Sequence, residues 1–339
     1  MIVKVVRDLI VYNLSDLQTK KNEFINHVNN SDIADHEKEV NDLHYEMSVD
    51  IMKLMLGPLL KHSACYFPTG KETLKEAEIE MLELYCKRAE CFDGMKCLDV
   101  GCGWGSLAFY LAKKYPKSTI TCFTNSKAQV FHIEKVCEDE NITNVITVLG
   151  DLNNPPKDFV NKFDRIIAVE LLEHLKNYKL CFNTFYKWLD YDGKLFIQSF
   201  GYRLYPSHFE FDQNQRASNW LAKYFCKGAT MVSLDIYLYF QDKLKLENCW
   251  LEKGTHYANS FKHWIKQIDS NKKELQNALS EYYGDKQEGF YWFSRWRFFL
   301  LVSSIPFRLF GGNFWGVGHY LFKKPSALQP STSSLYSID

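Results

Sequence analysis

Two glutamates and a histidine, Glu170, Glu173 and His174, fall within five residues of VELLEHLKNY, directly after the apolar run FDRIIAV. A run of that length and character reads as a buried strand, which places three ionisable groups at a strand's carboxyl end. Carboxylates there can hold a cation, and an imidazole beside them can take up a proton near neutral pH. Helix capping is the plainer use for such residues, worth about 0.3–1 kcal/mol for a carboxylate at a helix N-terminus. Capping accounts for one glutamate. It does not account for a second one across a Leu pair with His174 adjoining it. The pattern predicts a functional cluster, with the next helix starting near Glu173.

A second group lies in LDVGCGWGSLAFYLA, where Gly101, Gly103 and Gly105 separate a strand from a helix. Glycine there permits a sharp turn and a close approach of ligand to backbone. The spacing departs from the GxGxxG dinucleotide pattern after the second glycine, and the GK[ST] of a P-loop is missing. Asp99, two positions before the first glycine, can order the turn and accept hydrogen bonds around a bound cation.

The elements that must position these residues are visible from about residue 95 to 200. Strands KCLDVG, TITCFT, VITVLGD, FDRIIAVE and GKLFIQSF alternate with helices SLAFYLAKKY, KAQVFHIEKVCEDE and KNYKLCFNTFYKWL. Alternation of this kind predicts an α/β fold with a mostly parallel sheet covered by helices on both faces. Upstream, DLQTKKNEFINHVNN and VDIMKLMLGPLL have helical spacing, with Pro58 ending the second. TLKEAEIEMLELYCKRAE follows with a Thr73–Glu76 capping box and is expected to pack rather than to enter a site. The last stretch, SALQPSTSSLYSID, is Ser-rich and reads as a disordered tail.

Composition narrows the partners. The 339 residues carry 41 basic and 41 acidic side chains, so no broad basic field invites nucleic acid or anionic lipid. No apolar run approaches the roughly 18–20 residues that span a bilayer. The start, MIVKVVRDLIVYNL, is interrupted by Lys4, Arg7 and Asp8 and lacks a cleavable signal pattern. Ten cysteines show no CxxC pair and no zinc spacing with histidine, which predicts reduced thiols, a cytoplasmic location and no metal. Aromatic residues, 16% of the chain, crowd its second half in WLAKYF, YLYF, YWFSRWRFF and FGGNFW.

DVGCGWG followed by TNSKAQ, GDL and VELLEH resembles the class I S-adenosylmethionine-dependent methyltransferases. LGPLLKHSACYFP, LYCKRAE, YFQDKLKLENCWLEKGTHYA and WRFFLLVSSIPFRLFGG narrow this to the cyclopropane-fatty-acid-synthase-like branch, closest to the coclaurine N-methyltransferase group. The likeness runs from HYEM near residue 44 to HYLFKK near 319. It implies a Rossmann-like fold with a seven-stranded, mostly parallel sheet, N-terminal helices and a helical, aromatic-rich elaboration roofing the acceptor. The implied organisation is a lid segment over 1–70, a donor-binding core over 71–200, an elaboration with the final strands over 201–325, and the tail from 326.

The resemblance also assigns residues. Ser63, Gly101 and Gly103 would lie near the donor's methionine portion, Asn125 and Gln129 at the ribose, and Asp151 and Leu152 beside the adenine. Many methyltransferases end the second strand in an acid, whereas TCFTNSKAQ offers Thr124 and Asn125. Glu170 and Glu173 would anchor a substrate ammonium and His174 would accept its proton. Glu46 and Tyr257 are further substrate-side candidates. Lipid cyclopropane synthases of the branch have Gly where Glu170 stands, Cys where Ala64 stands, and a bicarbonate-site histidine near Gln198 or Ser199. The implied reaction is therefore N-methylation of a small or mid-sized aromatic amine by S-adenosylmethionine, without metal. A lipid-modifying enzyme and a non-catalytic cofactor-binding protein are the alternatives, and a homodimer is left open.

Overall fold

The computed structural model describes residues 13–33, 47–208, 216–225 and 228–325. The expected lid carboxylate Glu46 and the Ser-rich tail lie outside the described residues. The elements run α1 (Leu14–Val28), α2 (Val49–Met55), α3 (Leu74–Arg88), β1 (Lys96–Val100), α4 (Ser106–Lys114), β2 (Thr119–Thr124), α5 (Lys127–Asp139), β3 (Val145–Leu149), β4 (Phe163–Val169), α6 (Tyr178–Trp188) and β5 (Leu189–Tyr202). They continue with β6 (Ser207–His208), α7 (Arg216–Tyr224), β7 (Thr230–Ser233), β8 (Lys245–Lys253), α8 (Thr255–Ser270), α9 (Lys272–Tyr283), α10 (Lys286–Arg308) and β9 (Trp315–Lys323).

The expected seven strands are present in the order β3-β2-β1-β4-β5-β9-β8, parallel except for β9, which runs antiparallel to both neighbours. Two short strands, β7 and β6, are added beside the carboxyl end of β5 at Gly201 and Tyr202. They exist because β5 runs on past its partner β4, leaving backbone groups that must be paired.

Alternation within the central strands explains the layers. Cys97, Ile167 and Phe196 join Leu82 and Tyr85 of α3 and Leu107 of α4 on one face. Leu98, Ile166, Ala168 and Ile197 join Phe182 and Phe185 of α6 on the other. Burial on both faces is what a parallel sheet requires. A third cluster packs α2, α8 and α10 over the carboxyl ends of the strands, around Met52, Phe261, Trp264 and Trp296. Among the described residues no helix is long and apolar enough to cross a membrane.

Local signals behave as their chemistry dictates. Thr73 and Glu76 form the capping box of α3, and Ser126 caps α5 through the Gln129 amide. The helix after β4 departs from expectation: Leu172–His174 form a single 3-10 turn, and α6 starts at Tyr178 with Asn177 as its cap. Glu170 and Glu173 are therefore not caps of that helix.

Candidate active site

Order β3-β2-β1-β4 reverses direction between β1 and β4, and ligands of open α/β sheets bind outside the carboxyl ends at such a point. A cavity of about 460 Å³ opens there, lined by Ser63, Asp99, Gly101, Gly103, Asn125, Gln129, Asp151, Leu152, Glu170, His174 and Tyr257. Eleven residues named from the sequence thus share one wall system. Glu173 does not line it.

At the donor end, Asp99 is the penultimate residue of β1, in register with Cys122 and Ile167. Burial pushes its carboxyl up to about 7, and its Oδ2 has no hydrogen-bond partner among the described residues. Gly103 has φ +54, and a Cβ built there would meet nothing within 4 Å. Only glycine adopts that conformation readily, and the space it leaves belongs to the cavity. Thr124 donates to Gln129 Oε1 at 2.7 Å, so Gln129 is buried and braced, leaving its amide nitrogen for a ligand hydroxyl. An orphaned carboxylate oxygen, an open glycine turn and an amide donor fit the ammonium, backbone and ribose of S-adenosylmethionine.

At the acceptor end, Glu170 sits at φ +49, a region costly for any residue with a Cβ. Its hydrogen bonds offset that strain. Oε1 accepts from the Ala64 backbone N–H at 2.8 Å and from Gln198 Nε2 at 2.9 Å, and Oε2 accepts from the Tyr257 hydroxyl at 2.8 Å. Three donors from three parts of the chain hold one carboxylate, and each favours its charged form. Burial raises its proton affinity above that of an ordinary carboxylate, and Lys61 and these donors limit the rise.

Glu173 lies behind the wall. Its Oε1 accepts from Ser199 Oγ and Phe200 N, both at 2.8 Å, and its Oε2 has no partner among the described residues. Burial, then the charge of Glu170, pushes it up to about 8. Of these two buried carboxyls, Glu170 has more donors and so is held nearer its ionised form than Glu173, which is pushed up far enough to keep its proton at pH 7. Glu173, expected as a second anchor, does not line the cavity. His174 does line the cavity, and burial holds its imidazole down at about 4, hence neutral.

Several residues were not singled out in the sequence. His62 lines the cavity beside the Trp264 ring and is held at about 4 by burial, His174 and Lys61. Lys61 lines it too. The helix expected only to pack contributes as well: the Tyr85 hydroxyl donates to Gln198 Oε1 at 2.8 Å, and Arg88 binds His319, which in turn binds Gln198. The overlooked signal was polarity inside an otherwise apolar run, Lys61 in LLKHSA; Gln198 in GKLFIQSF was named only as a position where lipid synthases of the branch carry a histidine.

Aromatic side chains roof the acceptor end. Tyr257 stacks on Phe261 with ring centroids 4.4 Å apart and packs against Phe307, while Trp264 and Trp296 complete the wall. The 61–67 segment is pinned to α8 by Cys65 N to Ser260 Oγ and Phe67 N to His256 Nδ1. Among the described residues no three His, Cys, Asp or Glu side chains are grouped to hold a metal.

Comparison with known proteins agrees with this geometry. Residues 33–306 match the family model described as mycolic acid cyclopropane synthetase. (S)-Coclaurine N-methyltransferase of Thalictrum flavum subsp. glaucum is 36% identical over 296 residues, covering 86% of this chain and 80% of the relative. A crystal structure of coclaurine N-methyltransferase bound to N-methylheliamine and SAH superposes with a TM-score of 0.90 at 31% identity, over 94% of this chain and 92% of that one. A cyclopropane synthase of Mycobacterium tuberculosis shares the fold, with TM-score 0.72 at 22% identity over 87% of this chain and all of the other.

Proposed function

The chain belongs to the mycolic acid cyclopropane synthetase family, and we propose that it is an amine N-methyltransferase of that family whose acceptor is a small or mid-sized aromatic amine. It is an S-adenosylmethionine-dependent enzyme that methylates nitrogen. The donor supplies a methyl group on a sulfonium, so the acceptor needs only a lone pair held in line.

The difficulty lies with the amine. An aliphatic amine with a pKa near 10.4 requires about 4–5 kcal/mol to present its lone pair at pH 7. Glu170 is held in place by its three donors, and an arriving ammonium favours its ionised form and is drawn into the aromatic end of the cavity. Burial there lowers the amine's proton affinity, just as it lowers that of His174. His174, neutral at pH 7, is positioned on the same wall to take the proton as the lone pair is used. Tyr257 and its stacked partners supply aromatic faces for an aryl group and for cation–π contact with the ammonium.

The observation that carries this reading is Glu170 itself, a cavity carboxylate held by three donors where an alkene acceptor would need no anion. A reducing compartment such as the cytoplasm suits the nine described cysteines, all of them thiols. The test is incubation with methyl-labelled donor and either a panel of aryl-alkyl amines or vesicles of unsaturated phospholipid. Label in the amine fraction supports the reading. Label confined to lipid overturns it.

A further inference from the structure

Lys61 is 3% exposed, yet it lines the cavity. Its Nζ donates to Ser63 Oγ and to the Ala64 carbonyl oxygen, both at 2.6 Å. Both partners are neutral. Among the described residues Lys61 makes no ion pair, and Glu170 and Glu78 act on it only from longer range. A buried ammonium without an anion against it is costly, and proteins rarely keep one without a use.

The rest of the cavity's charge is of the other kind. Asp99, Asp151 and Glu170 are acids, His62 and His174 are held neutral, and Lys61 is the one lysine or arginine among the described lining residues. The methionine portion of the donor carries an ammonium and a carboxylate. The orphaned Asp99 oxygen suits the ammonium. Nothing in the described wall except Lys61 offers a full positive charge to the carboxylate.

We infer that Lys61 binds the α-carboxylate of the methyl donor and so makes the site select an intact amino-acid end. Ser63, braced by the same ammonium, belongs to this end of the cavity and adds a hydroxyl beside it. Burial lowers the proton affinity of Lys61 in the ligand-free site, and an arriving carboxylate restores it. The inference rests on S-adenosylmethionine being the donor.

The test compares S-adenosylhomocysteine with its decarboxylated analogue by calorimetry on the full chain. Wild type should prefer the intact ligand by about 10–100-fold, the range expected of a charge-assisted hydrogen bond. Lys61→Met should bind the two ligands within about threefold of each other, with Lys61→Arg retaining the preference. Lys61→Gln keeps donors for Ser63 and Ala64 and removes only the charge, so it must also lose the preference even if Lys61→Met fails to fold. Equal affinities in wild type overturn the inference, as does an undiminished preference in Lys61→Gln or Lys61→Met. Absence of S-adenosylhomocysteine binding to wild type would instead overturn the donor assignment itself.

Discussion

Gln198 Nε2 lies 2.9 Å from Glu170 Oε1, and the amide cannot turn over. Its Oε1 already accepts from the Tyr85 hydroxyl and from His319 Nε2, each at 2.8 Å. Arg88, a donor only, contacts His319 Nδ1 at 2.6 Å and also pairs with Glu252. His319 is therefore neutral with its proton on Nε2, in line with burial holding it well below the ordinary histidine range. A chain of side chains thus runs from Glu252 through Arg88, His319 and Gln198 to Glu170, and fixes one oxygen of that carboxylate.

Gln198→Met keeps the length of the side chain and removes both ends of this link. It should lower kcat/KM for the amine by about 10-fold or more, with S-adenosylhomocysteine affinity nearly unchanged. Steady-state kinetics beside calorimetry checks this. Equal loss in both would make Gln198 a general element of the fold.

Asp99 gives a pH dependence with a definite sign. Its pKa in the ligand-free protein is raised to about 7, and a bound ammonium favours its ionised form. Affinity for S-adenosylhomocysteine should therefore rise with pH from about 5.5 to 7.5 and level off above. The raised pKa also means that Asp99 contributes stability below pH 4, lost as pH rises through 7 in the ligand-free chain. Asp99→Asn should bind weakly and show a flat profile over that window by calorimetry.

Gly103→Ala separates turn from ligand. The added methyl enters open space but at φ +54, so the melting temperature should fall by only a few degrees, corresponding to about 1 kcal/mol. Donor affinity should fall at least about 10-fold, because the methyl occupies the ligand's approach to the backbone. Unchanged affinity would reduce the glycine to a turn residue.

His174→Ala should lower turnover by about 10²–10⁴-fold, the usual contribution of a positioned base. Raising the pH should restore part of it, since more amine then arrives unprotonated. A pH–rate profile on one good substrate reads both effects.

Most of the sheet was legible because the central strands are apolar on both faces and bounded by helices with clear caps, as at Thr73 and Ser126. That Asp99, Gly101 and Gly103 line the cavity was legible for a similar reason: an acid at a strand's end and glycines after it are local features. The acceptor end was only half legible. Glu170 and Glu173 are three residues apart, yet the chain turns so sharply at Glu170 that one faces the cavity and the other is buried behind it. Gln198, Lys61 and His319 reach the site from distant segments, and their importance depends on strand register and on which face of β5 they occupy. Neither is local.

The charge on Glu170 is the centre of the account, and Glu170→Gln isolates it. The amide oxygen can keep the Ala64 and Gln198 bonds, while the new NH2 donates to the Tyr257 oxygen, so the fold should be preserved. The decisive measurement is kcat/KM for N-methylation of one aryl-alkyl amine by Glu170→Gln against wild type, with S-adenosylhomocysteine affinity as the control. The account predicts a loss of about 100-fold or more in kcat/KM, expressed largely in KM for the amine, and unchanged cofactor affinity. A variant as active as wild type on that amine would contradict it.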